Sequence, residues 1–290
     1  MIFKEKIRPY LYLAPAYLCI SLIFIYPIIT LFRFSFMRIR GPEHTFIGLS
    51  NFSYLFHDQI FHMAIRHNFT LLICVPVLVL FSLIFSSLLF DQMAGWKFYR
   101  VSIFLPYILA IPVVGIVFSY IFQFNGILNT FLRWIGLEKI AVDWFGNPSF
   151  ALPTVMFVII WKELGFGTIL FLARLMAIDI ELIEAATIDG ANWWQRLFHV
   201  NIPQLRTAIE FYVIISTINM LSWMFPYIYV MTTGGPANAT MITELYIFQH
   251  GFRFQMMGVA SACAVLLLAV TSIFIILQFR IRGGMAIEKE

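Results

Sequence analysis

A group of hydrogen-bonding and aromatic side chains near residue 220 has the spacing of one helical face. Asn219, Ser222, Trp223 and Tyr227 follow one another at i, i+3, i+4 and i+8, so a helix would place them on the same side. An amide and hydroxyl groups beside aromatic rings suit a sugar, which indicates a substrate pathway. The alternative is that these side chains pack inside a helical bundle or against a sister chain.

Lys162 and Glu163 form a second candidate, because they interrupt the apolar run "FVIIWKELGFG". Ionisable groups at membrane depth are costly, and they are usually paired or functional. Adjacent residues on a helix point about 100° apart, so these two need not pair with each other. We interpret them as a structural ion pair or a gate contact in preference to a proton relay.

Residue types that would indicate catalysis or metal binding lack a suitable spacing. His57, His62 and His67 are five apart, too irregular for a shared helical face, and no histidine belongs to a recognised metal-ligand motif. The three cysteines lie singly in apolar runs. No Gly-x-x-x-x-Gly-Lys-Ser/Thr loop for a nucleotide is present. The sequence therefore predicts no catalytic residue, and no metal or cofactor bound by this chain.

The composition places these residues in a membrane protein. Mean hydropathy is +0.87, 61% of residues are hydrophobic and 12% are charged, whereas roughly a quarter of residues are charged in soluble domains. The net charge of +4 comes from sparse basic residues between apolar runs, where they act as topology markers. We therefore expect contact with membrane lipid and no nucleic-acid partner.

Apolar runs of about 20 residues without a charge predict the membrane-spanning helices. Six such spans fit the chain as a single transmembrane domain, residues 1–290, and they put both termini on one side. A cytoplasmic location for the termini, residues 91–100 and loop 174–206 puts eleven basic residues there and seven outside, which favours this orientation. The cytoplasmic set includes Lys4, Lys6, Arg8 and Lys289. The spans are 10–32, 68–90, 102–124, 152–173, 208–230 and 257–279.

The segment Ile178–Leu205 is a polar insert between the fourth and fifth spans. Asp179 is suited to cap a helix that runs from Ile180 to about Asp189, with acidic residues near its positive end. Gly190 is positioned to end this helix in a left-handed conformation. The first limb of the insert is thus predicted to be a short helix that stops at a sharp turn.

The second limb of the insert carries its own start signals. Asn192 and Gln195 can cap a second helix reciprocally, and Pro203 suits the first turn of the following span. Ala185 and Ala186 leave one face of the first helix low enough for another protein to come close. From the residues alone, two interpretations stay open: an amphipathic loop that rests on its own bundle, and a docking element.

The stretch "EAATIDGANWWQRLFHVNIP", residues 184–203, resembles the cytoplasmic signature of permease subunits of binding-protein-dependent ATP-binding-cassette importers. That signature reads Glu-Ala-Ala, three residues, Gly, nine residues, Ile, any residue, Leu-Pro. Val200 and Ile202 stand where Ile and Leu are usual, and both changes are conservative. The residues that match in register are Glu184, Ala185, Ala186, Gly190 and Pro203.

The resemblance covers nearly the whole chain and is to the carbohydrate-importer branch, in particular the maltose-type first permease subunit. Stretches that look like landmarks of that branch include "LAPAYLCISLIFIYPIITLFRFSF", "FYRVSIFLPYILAIPVVG", "FNGILNTFL" and "MGVASACAV". Related members import di- and oligosaccharides or glycerol 3-phosphate. The chain is similar to the shorter members, because no stretch outside the spans is long enough for a large extra domain.

The resemblance implies an all-α polytopic membrane protein with six transmembrane helices and the type I ABC importer permease fold. The signature loop would form a coupling helix in a cleft of a cytoplasmic ATPase. Glu184 and Asp189 would face basic groups of that ATPase, and Ala185, Ala186 and Gly190 would complete the contact. ATP and Mg would be used by the partner ATPase, with no cofactor bound by this chain.

The same resemblance implies partners and a location. Two cytoplasmic ATP-binding-cassette ATPase subunits, a second homologous permease in a heterodimer and an extracytoplasmic solute-binding protein would complete the importer. The outer loops "IRGPEHTFIGLSNF" and "TTGGPANAT" would contact the binding protein, and the alternative is that they are solvated loops. The assembly would lie in the cytoplasmic membrane of a bacterium or archaeon, with both termini in the cytoplasm.

Two other classes are kept as alternatives. An ion-coupled secondary transporter of a small polar solute would more typically show internal repeats or ionisable residues at mid-membrane in several spans, whereas only Lys162 and Glu163 stand out here. An intramembrane enzyme would need convergent catalytic side chains, which the scattered histidines do not supply. Uptake that requires ATP and a soluble binding protein distinguishes the importer from both.

Overall fold

The computed structural model describes residues 12–41 and 43–287, and most of these are helical. The residues of the topology prediction that lie outside this described part are Lys4, Lys6, Arg8, Tyr10 and Lys289. The elements in chain order are α1 (Tyr12–Ser35), β1 (Met37–Arg40), β2 (Glu43–Phe46), α2 (Ser50–His57), α3 (Gln59–Leu71), α4 (Cys74–Phe90), α5 (Trp96–Ile108), α6 (Ile111–Ile121), α7 (Ile127–Trp134), α8 (Pro148–Leu175), α9 (Ile180–Ile188), α10 (Trp193–Ser222), α11 (Phe225–Met231), α12 (Thr243–Phe248) and α13 (Met257–Ile287).

One compact unit consists of the described chain up to Phe61 together with Tyr246–Ala269. It contains an antiparallel hairpin, β1–β2, which the all-α expectation did not include. Asn51 holds the entry to this hairpin, because its Nδ2 donates to the carbonyls of Ser35 at 2.8 Å and Met37 at 2.9 Å. Gly258 lies against the same Met37 carbonyl and the Asn51 amide, so a Cβ there would overlap both. The small-residue start of α13 therefore allows close packing of helix and hairpin.

Within the described residues, four helices are long and apolar enough to cross a membrane: α1, Gln59–Phe90, α8 and Met257–Arg280. Two further pairs of helices meet the same criteria together but are bent, by 102° between α5 and α6 and by 47° between α10 and α11. The predicted spans 102–124 and 208–230 fall on these pairs. Six spans are therefore present if each bent pair crosses as one.

A proline lies at both bends, and the first bend also contains extended residues. Leu109 and Ala110 have extended backbone, with ψ of 140° and 135°, and Pro112 in the first turn of α6 has no N–H. At the second bend, Trp223 leaves helical geometry and Pro226 lies in the first turn of α11. Each break leaves backbone carbonyl or amide groups without a partner in their own helix, and these groups must be satisfied by other parts of the protein.

Helix α8 is the packing core of the second unit, His62–Leu245 with the chain from Val270. It begins at Pro148, and the side chain of Asn147 caps it by accepting the Ser149 N–H at 2.9 Å. It packs against α4, α5 and α10. Gly165 and Gly167 bring those neighbours close. A Cβ on Gly165 would contact the backbone of α5, and a Cβ on Gly167 would contact side chains of α4 and α10.

Gly167→Ala is expected to lower the thermal stability of the chain. The added Cβ would lie 2.5 Å from ring carbons of Tyr212 and against the Oγ of Ser82, and both residues are buried. Such overpacking costs about 1–3 kcal/mol, which a thermal unfolding curve in detergent detects. Ala173→Ser, at an exposed position of the same helix, is the control and should leave the midpoint unchanged. Identical midpoints for the two variants would contradict the close contact.

Candidate functional site

The first limb of the polar insert is a short helix, as the sequence predicted. Helix α9 spans Ile180–Ile188, and Asp179 occupies the N-cap position with φ −61° and ψ 124°. The Asp179 side chain makes no capping hydrogen bond to the described residues, which differs from the expected cap. It is exposed, so water competes for its carboxylate.

Gly190 ends this helix with left-handed backbone, φ +76°, as expected. Its N–H donates to the carbonyl of Thr187 at 3.1 Å, and the N–H of Ala191 donates to the carbonyl of Ala186 at 3.0 Å. These two bonds form a Schellman motif, which favours glycine because a Cβ is strained at positive φ. The turn is therefore fixed by the backbone itself, and the space where a Cβ on Gly190 would point is open to 4 Å.

The second limb begins with the predicted capping box. The Gln195 N–H donates to Asn192 Oδ1 at 2.9 Å, and the Asn192 N–H donates to Gln195 Oε1 at 2.7 Å. Arg196 Nη2 donates to Asp91 Oδ2 at 3.0 Å, which ties this limb to the residue after α4. Loop 174–206 and residues 91–100 therefore meet at the same end of the unit, as the topology prediction requires.

Pro203 lies in the first turn of the regular helix Ile202–Ser222, as predicted, but that helix continues directly from the helical residues before it. Helix α10 begins at Trp193, passes through a π turn at Leu197–Asn201 and continues as regular helix from Ile202. Pro203 cannot donate to the carbonyl one turn earlier, and the wider turn directly before it accommodates the missing bond. The second limb of the insert and the fifth span thus form one continuous helix.

The signature residues of the first limb face solvent. Two apolar side chains on α9 are also exposed, Ile188 at 86% and Leu182 at 46%. The sequence argument did not single them out, although an isoleucine inside a polar signature is a signal of a covered surface. The arrangement suits docking of another protein on α9 and its turn. The exposed signature residues are Glu184, Ala185, Asp189 and Gly190, and Ala186 is half-buried.

A cavity of about 290 Å³ lies where α8 meets the two bent pairs of helices. Of the predicted pathway residues, Ser222 does not line it, because its Oγ lies 3.5 Å from Thr271 Oγ1. Helix α10 ends at Ser222, so the helical face that the spacing predicted is interrupted there. The lining residues are Tyr107, Ile111, Lys162, Glu163, Asn219, Trp223, Met224 and Tyr227.

Lys162 and Glu163 lie side by side in the wall of this cavity and form an ion pair, with 3.7 Å between Nζ and Oε1. Lys162 is 4% exposed, and its Nζ also donates to the carbonyl of Tyr107 at 3.1 Å. Helix α5 ends at Ile108, so that carbonyl has no amide one turn later to accept from. The lysine therefore satisfies a backbone group that the first bend leaves free.

Tyr227 completes the network by donating its hydroxyl to Glu163 Oε1 at 2.6 Å. Its side chain is fully buried, whereas the Trp223 ring is 65% exposed. The structural ion pair proposed from the sequence is thus present, while a gate contact stays a prediction. Polar groups held beside aromatic surface give the cavity the means to bind a hydroxylated solute.

The outer segment "TTGGPANAT" is an ordered loop with its own hydrogen bonds. Thr240 Oγ1 donates to the Gly235 carbonyl at 2.9 Å and lies 2.7 Å from Thr232 Oγ1. His67 Nδ1 lies 2.8 Å from the carbonyl of Met241, which is buried. The segment is ordered by its own contacts, while Thr233 and Ala237 remain exposed to solvent. Its contact with a binding protein stays a prediction.

A helical membrane bundle that keeps a polar cavity inside and exposes a rigid helical turn at one end has the architecture of a permease, a subunit through which a solute crosses the bilayer. The family profile "Binding-protein-dependent transport system inner membrane component" matches residues 46–286. The chain belongs to this family. It is therefore an inner-membrane component of a binding-protein-dependent transport system, as the signature of residues 184–203 indicated.

Individual proteins support the same assignment. The chain is 34% identical to the probable ABC transporter permease protein YurN of Bacillus subtilis (strain 168), over 97% of each chain. It is 31% identical to the lactose transport system permease protein LacF of Rhizobium radiobacter, over 94% of this chain and 93% of that one. A bacterial alginate ABC transporter, solved in complex with its alginate pentasaccharide-bound periplasmic protein, superposes with a TM-score of 0.81 at 24% identity, covering 95% and 93% of the chains. This last likeness confirms the predicted importer permease fold.

Proposed function

We propose that the chain is one permease subunit of an importer that moves a sugar into the cell. A solute-binding protein outside the membrane delivers the sugar, and two separate ATP-binding-cassette ATPases in the cytoplasm drive its passage. The observation that carries the proposal is the exposed helix α9, which ends at the rigid Gly190 turn and bears Glu184 on its solvent side. ATP and Mg act in those ATPases, and this chain binds no cofactor.

The orientation follows from the insert. The proposal puts the ATPases at the end of the unit where Arg196 meets Asp91. It assigns this end and both termini to the cytoplasm. Glu184 and Asp189 meet basic groups of the ATPase, while the small Ala185 and the bare Gly190 backbone let the two surfaces come close. This orientation is supported by the excess of basic residues, among them Lys97 and Arg100, that it puts on the inner side.

The solute path runs past the cavity, where Asn219, Trp223 and Tyr227 supply an amide, an exposed indole and a hydroxyl. Alternating amide and aromatic groups suit the hydroxyls and apolar ring faces of a carbohydrate. A lactose permease among the relatives and an alginate transporter among the similar structures support a sugar as the solute. A second, homologous permease forms the other half of the path in a heterodimer.

The test is uptake by the reconstituted complex. The chain, its second permease, the ATPase and the binding protein are assembled in proteoliposomes and supplied with labelled lactose and a panel of neutral di- and trisaccharides. Uptake of at least one sugar should require both ATP inside and the binding protein outside. Uptake that is driven by an ion gradient, without ATP, would overturn the proposal in favour of a secondary transporter.

A further inference from the structure

Two side chains from distant parts of the sequence bind the backbone groups beside the break in the fifth span. Asn68 Nδ2 donates to the Leu221 carbonyl at 3.2 Å. Glu244 Oε1 accepts the N–H of Met224 at 3.1 Å. These two backbone groups lie on either side of Ser222 and Trp223, the last residue of α10 and the residue after it. The bend is therefore held by specific side chains, just as Lys162 satisfies the carbonyl freed at the first bend.

Asn68 and Glu244 also bond to each other and to Thr243. Asn68 Nδ2 donates to Glu244 Oε2 at 3.1 Å, and Asn68 Oδ1 accepts the Thr243 N–H at 2.8 Å. The Thr243 hydroxyl lies 3.0 Å from Asn68 Oδ1 and 3.3 Å from Glu244 Oε2. Asn68 and Thr243 are each 3% exposed. Because Nδ2 donates hydrogen bonds and Oδ1 accepts them, the orientation of the Asn68 amide is fixed, and the amide cannot be turned by 180° without loss of these bonds.

The surroundings of Glu244 make its hydrogen bonds important. Burial raises the pKa of its carboxyl group, while the bonds from Asn68 and from the Met224 and Glu244 N–H groups act in the opposite direction. Glu244 lies in the first turn of α12, where an acidic side chain is favoured by the free N–H groups of the helix. The charged form of Glu244 is thus stabilised by Asn68 and by the Met224 N–H, the same groups that Glu244 holds in position.

We propose that Asn68, Thr243 and Glu244 form a polar clasp that positions the cavity wall at Trp223 and Met224 for passage of the solute. They are positioning residues, because they act through the backbone of the break and do not line the cavity themselves. The role in solute passage rests on the proposed function; the role in holding the break does not. Without the clasp, the Leu221 carbonyl and the Met224 N–H must find other partners, and Trp223 moves with them.

Thiol labelling of the assembled importer tests the clasp directly. Met224 is 2% exposed, so the thiol introduced by Met224→Cys should react slowly with N-ethylmaleimide. We expect Glu244→Ala or Asn68→Ala to increase that rate about tenfold or more, because the local structure opens when its hydrogen bonds are removed. The exposed Cys19 is first replaced by serine. An unchanged rate in both variants would refute the clasp.

The native cysteines serve as controls that distinguish opening at the break from loosening of the whole fold. Cys74 and Cys263 are buried, and they should stay unreactive if only the break opens. If they react together with the introduced thiol, the three residues merely support the whole fold and the proposal fails. Thr70→Ala, two positions from Asn68 on the same helix, removes an exposed hydroxyl whose partner in the described part of the chain is the Arg66 carbonyl, and it should leave the rate unchanged.

An exchange of donors and acceptors tests the chemistry of the clasp. Glu244→Gln alone places an amide NH₂ opposite the Asn68 NH₂, so it should raise the labelling rate. Asn68→Asp together with Glu244→Gln restores a donor opposite an acceptor, and the rate should fall part of the way back, because the Leu221 carbonyl still lacks its donor. A double variant that labels faster than both single variants would contradict the proposed contacts.

Transport measurements then separate this inference from the proposed function. In the clasp variants, sugar uptake should fall about tenfold or more, while ATP hydrolysis stimulated by the binding protein stays within about twofold of wild type, because α9 is untouched. Equal losses of uptake and hydrolysis would overturn the positioning role. If the wild-type complex itself shows no ATP-dependent uptake, the proposed function fails, whereas the labelling result for the break still stands.

Discussion

Glu184→Lys should reduce ATP-driven uptake by about 100-fold or more while the chain remains in the membrane. Loss of one partner of a desolvated charge pair costs about 2–5 kcal/mol, and a reversed charge adds repulsion against the basic groups that we propose for the ATPase surface. The side chain is exposed on α9, so the permease itself should fold normally. Uptake in proteoliposomes and recovery of the ATPase with the purified permease measure the two parts of this effect.

Gly190→Val should reduce uptake as much as Glu184→Lys, because it changes the backbone conformation of the turn. A β-branched residue is strained at φ +76°, so the Schellman turn would open and the end of α9 would change direction. Gly136 has a similar φ of +80° and equally open surroundings in another loop, so Gly136→Val is the matched control and should transport normally. Normal transport by both Glu184→Lys and Gly190→Val would show that the insert does not couple to the ATPase.

Glu163→Ala should destabilise the chain and abolish most transport. It leaves the buried Lys162 without its ion-pair partner and the Tyr227 hydroxyl without its acceptor, which costs about 3–5 kcal/mol for a buried pair. Thermal unfolding and uptake are measured together. The partly buried ion pair of Arg206 and Glu210 is the control, since Glu210→Ala leaves no cation as deeply buried as Lys162 and should cost less.

A double variant decides between the structural and the gate interpretation of the same pair. Lys162→Met with Glu163→Gln removes both charges and keeps a polar acceptor for Tyr227, so stability should return to within about 1 kcal/mol of wild type. Uptake should stay at least about tenfold low, because the cavity wall has lost its charges. Recovery of uptake along with stability would mean that the pair is structural only.

Features that depend on short-range backbone rules were predictable from the sequence. The left-handed Gly190 and the reciprocal cap of Asn192 and Gln195 were confirmed, because each is set by a few neighbouring residues. The family was also identified correctly, since the signature of residues 184–203 is long and has a fixed register. The capping bond of Asp179 was not found, because an exposed carboxylate has water as an alternative partner.

Features that depend on contacts between distant residues were not predictable. Pro112 and Pro226 lie at the two bends, but the sequence contained no sign that Lys162 or Glu244 would bind the freed backbone groups. The prediction of one face for Asn219, Ser222, Trp223 and Tyr227 assumed an unbroken helix, whereas the helix ends at Ser222. The Ser222 hydroxyl lies beside Thr271 Oγ1 and does not line the cavity. Three of the four residues still line the cavity, because the bend turns α11 toward α8.

The continuous helix α10 has a mechanical consequence. At 1.5 Å per residue it is roughly 45 Å long, with the capping box at one end and the break at the other. The bond from Arg196 to Asp91 holds it close to the capped end. A small tilt of the capped end of α10 would therefore move the opposite end of the helix the farthest. Trp223 directly follows that end, so it would be displaced more than the residues near the capping box.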